Sequence, residues 1–301
     1  MSKQKWDSEN ISDQKGRVAI VTGSSSGVGY EAARVLVNKN ATVIIAVRNL
    51  EKGNAALEKI KAGYANADAH VMEMDLSELE SVRKFAEKFK QEYSRLDLLI
   101  NNAGVMMPPY CKTVDDFELQ FGTNHLGHFA LTGHLIDLIK TTPNSRIVNV
   151  SSGAHAYGKL EFNDLHCEDR PYKKMKAYAD SKIANLYFTY ELQRKIENAG
   201  LNVLSVASHP GWTATELQRH TGLFSFLNNF FAQGIEMGAL PTLYAAVAPN
   251  VRGGDYYGPD GWREMKGYPK KVQSNKLSHD KEIAVKLWEV SEELTGVKFA
   301  L

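Results

Sequence analysis

Six short apolar runs rich in β-branched residues punctuate the chain: RVAIVT (17–22), ATVIIAV (41–47), AHVMEM (69–74), LDLLIN (96–101), RIVNVS (146–151) and LNVLSVA (201–207). Their apolar residues mostly sit at successive rather than alternate positions, as strands covered on both faces require. Between them lie longer amphipathic stretches: GYEAARVLVNK, EKGNAALEKIKA, ELESVRKFAEKFKQEY, HLGHFALTGHLIDLIK and YADSKIANLYFTYELQRKIENAG. Strand, helix and strand in repetition imply right-handed crossovers, so the predicted fold is α/β: a doubly wound parallel sheet with helices on both faces. No internal repeat or long Pro/Gly-rich linker interrupts the pattern, so residues 16–301 read as a single domain. Residues 1–15 read as a polar N-terminal extension, and about 250–301 as a C-terminal segment of the domain.

In such a sheet, ligands bind beyond the carboxyl ends of the strands. Gly23, Asp75, Asn101, Ser151, Ser152 and Pro210 all fall at that edge. The loop TGSSSGVG (22–29) follows the first strand and opens the first helix. Gly23, Gly27 and Gly29 let the backbone approach a pyrophosphate, and the helix start, with Ser25, Ser26 and Val28 in the same loop, offers unpaired N–H donors. Many βα turns use glycine for geometry alone; the position between this strand and this helix is what points to a nucleotide. The second strand ends in AVRN. NAD-binding turns commonly carry an acid there for the ribose 2′-OH. This chain has Val47 and Arg48 instead, and a guanidinium suits a 2′-phosphate, so the expected cofactor is NADP(H). The plain alternative is that Arg48 caps a solvated strand edge.

Lys plus Arg is 36 and Asp plus Glu is 35, a net charge of +1, which leaves no basic excess for a nucleic-acid partner or an anionic membrane. Cys111 and Cys167 make no C-x-x-C pair, which fits a reducing cytoplasmic location. No stretch approaches the ~18 apolar residues of a membrane span, and no membrane anchor is expected.

Taken in order, several motifs resemble the short-chain dehydrogenase/reductase family over about residues 16–250. They are T-G-x-x-x-G-x-G at 22–29, Asp75-Leu76, N-N-A-G at 101–104, Asn124, Ser152, Tyr178-x-x-x-Lys182, and P-G-x-x-x-T from Pro210 to Thr215. R-I-V-N-V-S-S, S-K-x-A-N and H-P-G-W are similar to its retinol-dehydrogenase-like group, which also includes the WW-domain oxidoreductase and protochlorophyllide reductase. The resemblance implies a Rossmann-type fold and hydride transfer between NADP(H) and a carbonyl or alcohol carbon. It also implies cofactor contacts from Asp75, Leu76, Asn102, Ala103, Gly104, Pro210, Gly211, Thr213 and Thr215, besides Tyr178 and Lys182.

One spacing departs from the family pattern: Ser152 precedes Tyr178 by 26 residues, more than is common. The extra segment GKLEFNDLHCEDRPYKKMK (158–176) reads as a polar, exposed loop that either lies over the cleft or alters subunit contacts, so a homo-oligomer remains open. Asp180, where the family more often has a small residue, lies about 200° around the helix from Tyr178 and is expected to face away.

Tyr178 and Lys182, four apart, share one helical face. A free phenol has a pKa of ~10, and an ammonium ~4 Å away at an effective dielectric of ~20 favours the phenolate by ~4 kcal/mol, about 3 pKa units. An acidified Tyr178 is therefore expected to exchange a proton with the substrate oxygen, which Ser152 orients. The resemblance gives Lys182 a further contact to the nicotinamide ribose, and Asn124 a water leading from Lys182 to solvent. Singly, such residues are ordinary surface pairs, turn caps or polar bridges; their joint occurrence on one sheet edge is what assigns chemistry.

His125 and His128 lack a third convergent ligand, so they and His134 read as hydrogen-bonded histidines and no metal is expected. His155, three residues after Ser152, is expected at the substrate mouth. The segment 212–234, with Trp212, Phe224 and Leu227, matches by position the family's substrate-binding segment; it reads as an apolar lid or as a helix packed into the core. Met106, Met107, Pro108 and Tyr110 are the candidate opposite wall. The expected partner is a hydrophobic small-molecule carbonyl or alcohol. The alternatives are a catalytically idle NADP(H)-binding interaction protein and a double-bond reductase resembling protochlorophyllide reductase.

Overall fold

A computed structural model describes residues 5–64, 66–213 and 233–301. All six predicted strands form: β1 (Val18–Thr22), β2 (Thr42–Val47), β3 (Ala69–Glu73), β4 (Leu98–Asn101), β5 (Ser145–Val150) and β6 (Val203–Ser208). Two more extend the sheet, β7 (Tyr256–Pro259) parallel to β6 and β8 (Pro269–Lys271) antiparallel to β7. Among the described residues the order is β3-β2-β1-β4-β5-β6-β7-β8. The winding reverses between β1 and β4, which opens a crevice at their carboxyl ends. Neither YYGP nor PKK carries a β-branched run, so nothing in the pattern announced β7 or β8; the edge strand β8 exposes two lysines, as unpaired edges tend to.

The continuous apolar character of the strands has a direct cause. Successive residues of β1 enter opposite cores: Ala19 and Val21 join one, Val18 and Ile20 the other. The first core is closed by α1 (Gly27–Asn38) and a later helix, Ile235–Val247. The second is closed by α3 (Leu79–Glu92), α4 (Gly127–Thr141) and α5 (Lys174–Asn198). Between β2 and β3 runs α2 (Leu50–Gly63); Ile235–Val247 is α6, and α7 is Lys281–Thr295. α7 lies against α5, placing Trp288 5.2 Å from Phe129 and 4.5 Å from Phe299 between ring centroids. With partners on several sides, α5 is buried along most of its middle, which is where Tyr178 and Lys182 lie.

Two regions pack more closely than their composition suggested. The N-terminal extension docks on the domain: Trp6 meets Tyr244 edge-on at 4.9 Å, Ile11 is buried, and Gln14 N donates to Lys39 O at 2.7 Å. The segment after Gly158 is not simply exposed. Leu160, Phe162 and Leu165 pack on the cluster containing Phe121, Ile183 and Tyr187, and Arg170 pairs with Glu161 at 2.8 Å. Apolar burial at these few positions outweighs the polar average of both segments. Among the described residues, no helix is long and apolar enough to cross a membrane.

Candidate active site

The β1–α1 loop forms a cradle that admits backbone only. Gly23 has φ +67°, and a Cβ on Gly29 would lie 2.3 Å from Asn102 Nδ2 and 2.7 Å from Gly23 O. Asn102 is itself pinned, since its Nδ2 donates to Thr22 O at 2.8 Å, and the backbone N–H groups of Asn102 and Ala103 both donate to Thr22 Oγ1 at 2.9 Å. Ser26 makes no side-chain cap to α1, which leaves the first-turn amides to a ligand. Ser25 is half-buried and Ser26 exposed, whereas the Val28 side chain joins the core, so Val28 can serve only through its backbone. The cradle fits a dinucleotide pyrophosphate.

At the rim of β2 and β3, Asp75 Oδ1 accepts from Ser77 N at 2.9 Å and Ser77 Oγ at 2.6 Å. Arg48 Nε stands 3.8 Å from Asp75 Oδ2 with its side chain 70% exposed. Leu76 is buried behind Asp75.

Beyond β5 the helix α5 presents Tyr178 and Lys182, both buried. The Ser152 hydroxyl neighbours Tyr178, whose pKa it lowers, and accepts from Ala154 N at 3.2 Å. Lys182 Nζ lies 5.7 Å from the Tyr178 ring centroid and donates to Val150 O at 3.1 Å. Asn124 sits in a π-turn, Gly122–Leu126, that precedes α4. Its Oδ1 accepts from Val105 N at 2.7 Å, while Nδ2 donates to Val105 O at 3.0 Å and Ser181 Oγ at 2.9 Å. Gly104 fits between Asn124 and Lys182, since a Cβ there would lie 3.0 Å from Asn124 Oδ1 and 3.5 Å from Lys182 Nζ. The fold thus gathers Ser152, Tyr178, Lys182 and Asn124 from three separate parts of the chain.

The charge balance differs from the expectation of an acidified phenol. Burial pushes Tyr178 up to about 12, opposed by the neighbouring Ser152 hydroxyl, and pushes Lys182 down to about 8. Loss of water disfavours both charged forms, and the ammonium, engaged with Val150 O, does not offset it at the phenol. At neutral pH Tyr178 keeps its proton.

His128 ties the two halves of the site together. Its Nδ1 donates to Asn124 O at 3.0 Å, which leaves Nε2 to accept from Thr22 Oγ1 at 2.9 Å. One threonine hydroxyl therefore joins the glycine loop, residues 102–103 and the π-turn. His125 pairs through Nε2 with Ser291 Oγ at 2.9 Å, so both are hydrogen-bonded core histidines as expected. Burial pushes His125 down to about 3 and His128 down to about 4. Both values lie below the unfolded value of ~6.5, so this stabilisation is complete above pH ~6.5 and is lost as the pH falls. By pH ~5 each histidine is expected to remove ~2 kcal/mol, read from urea midpoints at pH 7 and pH 5. Unchanged stability between those pH values would mean that the pair is not buried neutral.

His155, expected at the mouth, is buried at a joint: its Nδ1 bonds Ser152 O at 2.7 Å and its Nε2 accepts from Asn275 N at 3.2 Å. Asp180 faces the 158–176 segment, away from Tyr178, accepting from Lys159 N at 2.8 Å and Lys176 Nζ at 2.6 Å. Met106 is half-buried beside the Val105 clamp. Gly211 adopts φ +65° after Pro210, whose carbonyl accepts from Thr213 Oγ1 at 2.8 Å and Gln233 Nε2 at 2.7 Å. Trp212 N donates to Met265 O at 2.7 Å and Gln233 N to Trp212 O at 2.9 Å, tying the two ends of the predicted lid to each other. Thr215, Phe224, Leu227 and the rest of that lid lie outside the described residues.

A backbone-only cradle opening beside a buried phenol and ammonium, at the crevice of a doubly wound sheet, is the arrangement of a nicotinamide-dependent oxidoreductase. The short chain dehydrogenase sequence pattern matches residues 17–223, and the chain belongs to that family. It is 39% identical over 294 residues to human (Homo sapiens) retinol dehydrogenase 13, covering 94% of this chain and 86% of that protein. It is also 39% identical over 289 residues to Mus musculus retinol dehydrogenase 12, covering 94% and 88%. A crystal structure of an uncharacterized protein from Mycobacterium paratuberculosis matches with a TM-score of 0.84 and 39% identity, covering 99% of this chain and all of that one.

Proposed function

We propose that the protein is an NADP(H)-dependent oxidoreductase acting in the cytoplasm, which transfers hydride between nicotinamide and the carbonyl or alcohol carbon of a hydrophobic small molecule. The observation that carries this reading is the buried Tyr178, neighboured by Ser152 and Lys182, at the edge that also holds the glycine cradle. The retinol dehydrogenase names of relatives at 39% identity support alcohol–carbonyl chemistry.

The cofactor would lie along the Gly23–Gly29 loop, with Arg48 and Asp75 at its adenosine end and Asn102–Gly104 and Lys182 toward the nicotinamide; when bound it supplies or accepts the hydride. The rest is the work of side chains. Ser152 donates to the substrate oxygen and fixes its direction toward Tyr178. Because Tyr178 keeps its proton at neutral pH, it is ready to protonate that oxygen in the reducing direction. Oxidation needs the phenolate, and the Lys182 cation is the group placed to favour it. With its pKa near 8, Lys182 also exchanges a proton readily at physiological pH. Both donors of the Asn124 amide nitrogen are engaged, by Val105 O and Ser181 Oγ, so any water it anchors would donate to an Asn124 acceptor, such as the second lone pair of Oδ1.

NADP(H) rather than NAD(H) rests on Arg48, which is exposed and 3.8 Å from Asp75, leaving its donors available to a 2′-phosphate. Arg48→Ala is expected to weaken NADPH binding by roughly 10- to 100-fold with little effect on NADH, measured by tryptophan quenching. Tighter binding of NADH by the unaltered protein would refute the role of Arg48. The activity itself is tested with a panel of hydrophobic ketones, aldehydes and secondary alcohols, followed through NADPH absorbance in darkness. Turnover in the dark supports the proposal, whereas NADPH binding without turnover of any member favours an idle binding protein. Reduction that needs light favours the double-bond reductase.

A further inference from the structure

We propose that the long excursion between Ser152 and Tyr178 is a specificity element: through Tyr172 and Gln120 it fixes the turn at Met106–Met107, and so sets which hydrophobic group fits beside the reacting carbon. This rests on the hydrophobic-substrate reading above.

Met106 lies between two side-chain clamps on the backbone. On one side Asn124 holds both polar groups of Val105. On the other, Gln120 Oε1 accepts from Met107 N at 2.8 Å. Met107 has φ +56°, a left-handed conformation that a side chain of this kind keeps only where its surroundings hold it. Gln120 is fully buried, and its Nε2 donates to Tyr172 OH at 2.8 Å, just ahead of α5, and to Lys174 O at 3.0 Å, on the first residue of α5. Tyr172 OH in turn donates to Glu118 Oε1 at 3.0 Å; that buried carboxylate also accepts from Gln120 N at 3.0 Å and Phe121 N at 2.7 Å. The Tyr172 ring meets Tyr110 edge-on at 5.1 Å, and Tyr110 OH donates to His166 O at 3.2 Å. The excursion therefore grips the candidate substrate wall at Met107, indirectly through Gln120, and at Tyr110 directly. Each buried amide and carboxylate atom in this relay has a partner of the correct polarity, so loss of one strands the next.

Gln120, Glu118 and Tyr172 are positioning residues: none reaches the reacting atoms. Gln120→Met keeps the volume and removes the amide, and Tyr172→Phe keeps the ring and removes the hydroxyl. In the full-length protein, hydrogen exchange of a 105–110 peptide reports the clamp, and kcat and KM for straight-chain aldehydes of increasing length report the wall. In Gln120→Met, exchange at Met107 is expected to quicken roughly tenfold or more, with KM for the preferred length rising by a similar factor, kcat changing far less, and the length preference flattening. Tyr172→Phe is expected to do the same to a smaller degree. Unchanged exchange, an unchanged length profile, or a parallel loss of kcat for every aldehyde would each overturn the inference while leaving hydride transfer intact. An unaltered protein that turns over no aldehyde, ketone or alcohol would instead overturn the parent reading.

Discussion

Tyr178→Phe is expected to lower turnover of a carbonyl substrate by ~10²- to 10⁴-fold, the usual contribution of a positioned general acid. The substitution removes one oxygen from a buried ring, and the neighbouring hydroxyl, Ser152, is half-buried and already accepts from Ala154 N. Folding stability and NADPH affinity should therefore stay close to those of the unaltered protein. That separation gives the experiment its power, because a fall in turnover with intact quenching by NADPH and an intact melting curve can be assigned to the lost proton. Equal activity would remove Tyr178 from the mechanism.

The second large effect is expected from Gly29→Ala. A methyl there would sit 2.3 Å from Asn102 Nδ2 and 2.7 Å from Gly23 O. One of those atoms is backbone, and the other is held by its bond to Thr22 O, so neither can yield without dismantling the Thr22 junction. The loop must move instead, and the amides that would face a pyrophosphate move with it. NADPH affinity is expected to fall by ~100-fold or more, with a stability loss of ~1–3 kcal/mol typical of overpacking. Gly63→Ala is the matched control: nothing lies within 4 Å of a Cβ at that helix end, and the change is expected to be neutral or slightly stabilising. Titration calorimetry and thermal melts read both variants. Wild-type affinity in Gly29→Ala would show that the loop is not the cradle.

The sequence was most legible where periodicity and motif agree. The run RVAIVT became β1, the glycine loop opened α1, and the Tyr178–Lys182 spacing put both groups on one helix. What stayed hidden depended on partners distant along the chain. Thr22 looked like the last residue of a strand, yet its hydroxyl gathers three elements. Gln120 belongs to no motif, and its role follows from Met107, Tyr172 and Lys174 meeting around it. Leu160, Phe162 and Leu165 lie among charged residues at spacings that resemble neither helix nor strand, which made their segment look solvated. The acidity of Tyr178 was misjudged for a related reason: spacing along a helix gives the approach of a charge but not the removal of water, and here the water decides.

The central claim is that a buried, protonated Tyr178 is the proton donor and that the charge of a bound oxidised nicotinamide tunes it. Isotopically labelled tyrosine, with Tyr178→Phe used to assign the signal, lets this phenol be titrated in the free protein and with NADP⁺ bound. The expected result is a phenol still protonated well above neutral pH in the free protein, with a pKa near 12, and a titration ~1–3 units lower with NADP⁺, whose positive charge favours the phenolate. A Tyr178 signal that titrates like an ordinary exposed tyrosine, indifferent to the bound dinucleotide, would contradict the account.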